Sequence, residues 1–68
     1  MFVRILVPCF NEAPVLHHMY DQLSDILSVD SQLQQYQYDI LFVDDGSTDD
    51  TLTIIKQYAS INHRVKYI

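Results

Sequence analysis

The chain has 68 residues, enough for one small domain that buries only about 60% of its unfolded surface. It carries 4 Lys and Arg against 9 Asp and Glu, a net charge of −5. That balance excludes the basic footprint that nucleic acid or an anionic membrane surface requires. Cys9 is the single cysteine, so no internal disulfide and no zinc-ligand spacing exist, and a lone thiol fits a reducing compartment. No apolar run approaches the roughly 18 residues of a membrane span.

Residues 2 to 7, "FVRILV", are apolar and β-branched with one interruption, Arg4. They predict a strand buried on both faces except at Arg4, and ended by Pro8, which lacks a ladder donor. The same start does not have the form of a signal peptide: Arg4 interrupts it, and no small-residue cleavage pattern follows.

Asn11 can cap a helix, with Pro14 in its first turn. Val15, Leu16, Met19, Tyr20, Leu23, Ile26 and Leu27 then recur on one helical face. The helix is expected to end near Val29 or Asp30, because Ser-Asp-Ser favours local side-chain bonds. Residues 31 to 37 predict no regular element.

Residues 38 to 43, "YDILFV", form a second strand that runs into Asp44, Asp45 and the chain's single glycine, Gly46. Ser47 or Thr48 can cap a second helix, and Ser47 with Asp50 has capping-box spacing. Leu52, Ile55, Tyr58 and Ala59 give that helix its apolar stripe. After Asn62 and His63, "VKYI" starts a third strand.

The order strand, helix, strand, helix, strand with short connections predicts three parallel strands and two right-handed crossover helices. Such sheets bind ligands beyond the carboxyl ends of their strands. Two loops lie there: Pro8 to Glu12, and Asp44 to Ser47. The glycine-rich dinucleotide fingerprint and the P-loop are excluded by the glycine count. An EF-hand ending at Gly46 fails because Leu41 and Val43 stand where oxygen ligands are needed. What remains is an acceptor-rich crevice without cations. Carboxylates accept from ring N–H groups and sugar hydroxyls and repel phosphate, so the crevice suits a nucleoside and needs another element for a diphosphate.

"ILVPCFNEA", followed by "ILFVDDGSTDDT", resembles the start of family 2 glycosyltransferases, enzymes of the GT-A fold. The nearest subgroup includes dolichyl-phosphate mannosyltransferases and bacterial polyprenyl-phosphate glucosyltransferases. The resemblance runs from Phe2 to Ile68 and implies the βαβαβ half of a Rossmann-like GT-A domain. Residues 1–68 would then be its N-terminal nucleotide-binding part. It also implies a nucleoside-diphosphate sugar as donor and a lipid phosphate or glycan as acceptor. Pro8, Phe10, Asn11 and Glu12 match the loop lying against base and ribose, with Phe10 where tyrosine is commoner. Asp45 matches the aspartate that reads the base edge, and Asp44 its supporting neighbour. Ser47 and Asp49 match the rest of the signature. A divalent metal, Mg or Mn, is expected in the full enzyme, with ligands and catalytic base beyond Ile68. The chain by itself would bind sugar nucleotide weakly and catalyse nothing.

Simpler roles exist for most of these residues. Asp44 and Asp45 could form a solvated turn, Glu12 could serve a helix dipole, and Asn11, Ser47 and Thr48 could be caps. His17 and His18 point apart on the helix and read as surface residues, not metal ligands. Cys9 reads as a small buried residue, and the tyrosines as packing. The other functions open to this pattern are a non-catalytic nucleotide-binding or interaction segment and a flavodoxin-like signalling module. The third strand, at an open edge, offers a route to self-association. The expected location is the cytoplasm, at the cytoplasmic face of a membrane if the full protein is anchored there.

Overall fold

The computed structural model describes residues 1–68. Its elements are β1 (Phe2–Cys9), α1 (Ala13–Gln34), β2 (Gln37–Asp44), α2 (Thr51–Ile61) and β3 (Val65–Tyr67). The strands are all parallel, in the order β1-β2-β3. This is the α/β architecture expected, the βαβαβ half of a Rossmann-like domain.

Two right-handed crossovers that step in the same direction place both helices on one side of the sheet. On that side Val7, Cys9, Tyr38, Ile40, Phe42 and Val65 pack against Leu16, Leu27, Ile55 and Tyr58. Phe42, Leu16 and Ile55 are fully enclosed. Each such side chain contributes about 1.5–3 kcal/mol through apolar burial. Tyr20 stacks on Tyr58 at 4.0 Å and joins the two helices.

The other side of the sheet is open. Phe2 is 59% and Leu6 63% exposed. Register pairs Leu6 with Leu41 and Pro8 with Val43 on this face. The expectation that β1 is buried on both faces is therefore corrected. A run of apolar residues shows that a strand is hydrophobic; strand order decides which face receives a helix. Arg4 and Asp39 pair side by side here, Nε to Oδ1 at 2.8 Å and Nη2 to Oδ2 at 2.7 Å. The Arg4 guanidinium holds the Asp39 carboxyl below the usual carboxylate range.

Pro8 does not end β1, which continues to Cys9. The Cys9 carbonyl accepts the Asp45 N–H. Alternation then turns the backbone of Pro8 toward the unpaired edge, where its missing donor removes no ladder bond. Helix α1 runs four residues past Asp30, to Gln34. Its serines make their local bonds without breaking it: Ser28 Oγ donates to the Asp25 carbonyl and Ser31 Oγ to the Ser28 carbonyl. Gln35 closes the helix in the left-handed conformation, φ 57°, and its N–H returns to the Ser31 carbonyl. Val15 and Ile26, expected on the buried stripe, are exposed.

Candidate functional site

Parallel pairing of β1 with β2, in which Cys9 stands beside Asp44, brings the two carboxyl-end loops together. They are held by an exchange of hydrogen bonds. Three successive N–H groups, from the first loop and the start of α1, donate to side chains of the second loop and the start of α2. Asn11 N–H donates to Ser47 Oγ at 2.9 Å, Glu12 N–H to Thr51 Oγ1 at 2.9 Å, and Ala13 N–H to Asp49 Oδ2 at 3.2 Å. In return the Asn11 carboxamide oxygen accepts the N–H groups of Thr48, at 2.8 Å, and Asp49, at 3.3 Å. Asp45 N–H adds a bond to the Cys9 carbonyl at 2.9 Å.

This clasp changes the roles expected for its members. Asn11 does not cap α1; it adopts φ 52° and turns its amide onto the other loop. Glu12 is the first cap residue of α1, without a side-chain bond of its own. The donors at the start of α1 are satisfied instead by Asp49 of the neighbouring loop and by Thr51 at the start of α2. The capping box of Ser47 and Asp50 does not form. Ser47 Oγ donates to Asp44 Oδ1, and Asp50 occupies the cap position of α2 without a side-chain bond. Asp49 Oδ1 accepts the Thr51 N–H at 2.9 Å and also the Thr51 hydroxyl. These bonds, with those to Ala13, hold the Asp49 carboxyl below the ordinary range. Residue types alone could have signalled Thr51, a hydroxyl at the start of an apolar helical stripe, but its partner is 39 residues away.

The residues singled out from the sequence occupy this rim. Pro8 and Phe10 are exposed, Phe10 to 55%. Glu12 and Asp44 are half-buried, and Asp45 is exposed. Burial, with the Glu12 and Asp44 carboxylates nearby, pushes the Cys9 thiol up, which favours its protonated form. Gly46 turns at φ 77°, and a Cβ there would meet nothing within 4 Å. It is the backbone conformation, not crowding, that asks for glycine.

The rim carries Glu12, Asp44, Asp45, Asp49 and Asp50 and no Lys or Arg. No group of three or more acidic, histidine or cysteine side chains is arranged to hold a metal ion. Asp44 and Asp49 already spend oxygens on Ser47, Thr51 and Ala13. The rim residues therefore do not fit a divalent metal by themselves. His17 lies on α1, with Nδ1 3.0 Å from the Tyr58 hydroxyl and Nε2 3.2 Å from Asp21. Two shallow grooves of about 380 and 360 Å³ open elsewhere, around Tyr38 and Arg64 at the amino ends of the strands. Neither includes a rim residue. The rim is kept as the candidate site because the two acid-bearing loops at the carboxyl ends of parallel strands meet there.

A parallel βαβαβ sheet with two acid-bearing loops clasped at its carboxyl edge defines half of a Rossmann-like domain. The model of glycosyl transferase family 2 matches residues 4–68, and the chain belongs to that family. It is 36% identical over 64 residues to the uncharacterized glycosyltransferase YkcC of Bacillus subtilis, covering 94% of this chain and 19% of that protein. It is 38% identical over 65 residues to YkoT, an uncharacterized glycosyltransferase of the same organism, covering 93% of this chain and 19% of that protein. A dolichyl-phosphate beta-glucosyltransferase of Dictyostelium discoideum is 30% identical over 59 residues, 85% of this chain and 18% of its own. The chain thus spans about a fifth of the length of these relatives. No solved structure gives a significant match.

Proposed function

We propose that these residues form the nucleoside-holding part of the donor site of a glycosyltransferase that uses a nucleoside-diphosphate sugar. The observation that carries the reading is the clasp itself. It ties the loop that carries Glu12 to the segment that follows Asp44 and Asp45, which supports a shared pocket for their side chains. Asp45, exposed, accepts from a base N–H; Glu12 accepts from ribose hydroxyls; Phe10 stacks on the base; Pro8 shapes the loop's entry. Asp44 holds the turn through Ser47.

The transfer itself requires groups outside residues 1–68: an acceptor, a catalytic base where the acceptor needs one, and a divalent metal, Mg or Mn, for the diphosphate. Similarity to a dolichyl-phosphate beta-glucosyltransferase favours a lipid phosphate over a glycan as acceptor. A lipid-linked acceptor would put the reaction at the cytoplasmic face of a membrane. No helix of the chain is long and apolar enough to cross one.

The test is calorimetric titration of the chain with the common sugar nucleotides, for wild type and Asp45→Ala. One base should be preferred, and Asp45→Ala should weaken that binding about tenfold, the loss of one charge-assisted hydrogen bond. Equal binding of all bases, or no change in Asp45→Ala, would remove the assignment.

A further inference from the structure

The cations of the chain are unevenly used. Arg4 is fully engaged with Asp39, through Nε and Nη2. Arg64 and Lys66 form no ion pair, in a chain with 9 Asp and Glu. Both line the groove of about 360 Å³ at the amino ends of the strands, together with His63, Phe2 and Gln37. The carboxylates of the rim stand at the opposite, carboxyl ends. Asp39 is the one acid lining the groove, and Arg4 already neutralises it. Arg64 is held in place. Its guanidinium lies over the Tyr38 ring, 4.4 Å from the centroid, and Nη1 donates to the Tyr38 carbonyl at 3.1 Å. Its Nε and Nη2 have no acceptor in the protein.

We propose that this groove binds a small soluble organic anion, with its phosphoryl or carboxylate head at Arg64 and Lys66 and a hydroxyl-bearing body in the adjoining groove. A positioned guanidinium fork beside a mobile ammonium suits such a head. The adjoining groove, of about 380 Å³, shares Gln37, Tyr38 and Arg64 with the first and adds Ser28, Gln32 and Tyr36. The added side chains are neutral donors and acceptors, fit for hydroxyl groups. Gln35, which closes α1, also lines it, so the negative end of the helix dipole faces that space and disfavours an anion there. The head therefore belongs to the first groove and the body to the second. A net charge of −5 opposes approach to an anionic bilayer, which selects a soluble ligand over a lipid headgroup. The site lies apart from the rim and does not rest on the function proposed there.

The experiment is titration of the isotope-labelled chain with inositol monophosphate, inorganic phosphate and inositol, without metal, following the Arg64 Nε–H and the Lys66 amide. Inositol monophosphate should shift both signals saturably and bind about tenfold more tightly than phosphate, the scale of one or two added hydrogen bonds. Inositol alone should leave them in place. Lys66→Gln, at an exposed position, should weaken inositol monophosphate about tenfold, the loss of one charge-assisted hydrogen bond. Arg64→Gln should weaken it at least as much; Lys66→Gln carries the test if Arg64→Gln does not fold. Lys56, an exposed cation of α2 that lines neither groove, is the control. Non-saturating shifts of equal size at Lys56 and Lys66 mean charge screening alone and overturn the proposal. So do an unmoved Arg64 signal, shifts at Gly46 of the rim in its place, or unchanged affinity in Lys66→Gln. Phosphate bound as tightly as inositol monophosphate overturns the role of the second groove. Co-sedimentation with vesicles of phosphatidylcholine and phosphatidic acid, without binding of inositol monophosphate, overturns the soluble ligand in favour of a lipid headgroup.

Discussion

The Asn11 carboxamide oxygen accepts the Thr48 backbone N–H at 2.8 Å across 37 residues of chain. Asn11 reaches it from a left-handed backbone, φ 52°, that few side chains other than asparagine adopt without strain. Two separable effects meet there. Asn11→Gly keeps the backbone and loses the acceptor; Asn11→Ala loses both. In urea denaturation Asn11→Gly should cost about 1 kcal/mol, the net value of an exposed hydrogen bond. Asn11→Ala should cost about 1 kcal/mol more, the strain of alanine in that conformation. Equal losses in the two variants would show that the backbone conformation carries no cost.

Thr51 is fully buried, and its hydroxyl serves both loops: it accepts the Glu12 N–H and donates to Asp49. Thr51→Val preserves shape and strands the Glu12 donor. It should destabilise by about 2 kcal/mol, the penalty of an unpaired donor shielded from water. Thr51→Ser keeps the hydroxyl and should lose about 0.8 kcal/mol, the burial of one methyl group. The order Val worse than Ser is the informative result, since apolar burial alone predicts the reverse.

The elements were legible in the sequence because each is set by a local period. "YDILFV" reads as a strand and Leu52, Ile55, Tyr58 and Ala59 as a helical face whatever surrounds them. The clasp was not legible. Ser, Thr, Asp and Asn bond equally well to their own turn or to a distant loop, and only the register of β1 on β2 decides between the two. Hence Asn11 and Ser47 read as caps and are instead clasp partners. The end of α1 lies beyond the Ser-Asp-Ser segment for a related reason. Ser28 and Ser31 bond backward to their own helix, which leaves it intact through Gln34. The two loops themselves, Pro8 to Glu12 and Asp44 to Ser47, were legible as neighbours because parallel adjacent strands leave them no other place.

Asp39 and Asp49 both have carboxyls held below their ordinary range, by Arg4 and by Thr51 with Ala13 respectively. A depressed folded-state value means that each contributes stability above the unfolded pKa, about 3.9, and that this is lost as pH falls through the lower folded value. The urea midpoint should therefore be level between about pH 7 and pH 5 on account of these two groups and fall below about pH 4. Asp49→Asn and Asp39→Asn should each start lower at neutral pH and fall less steeply in acid. A variant whose acid limb parallels that of the wild type would show that its carboxylate is not among those that titrate with unfolding.

Both edges of the sheet and one of its faces remain uncovered, with Phe2, Leu6 and Leu41 on that face around the Arg4–Asp39 pair. Contiguous exposed apolar surface on a strand with a free edge drives association. Net charge of −5 opposes it, but that charge is concentrated at the rim, whereas Arg4 and Lys66 belong to the open face. Leu6→Lys adds a cation at a position already 63% exposed, where little folding energy is at stake. Sedimentation velocity over a concentration series should show the wild type associating and Leu6→Lys shifted toward monomer by about tenfold in concentration, the equivalent of burying one leucine less completely. Helical content by circular dichroism should stay the same in the two proteins. If added salt strengthens association of the wild type, the apolar face drives it; if salt weakens it, contact between rim acids and the cations of the open face is responsible instead.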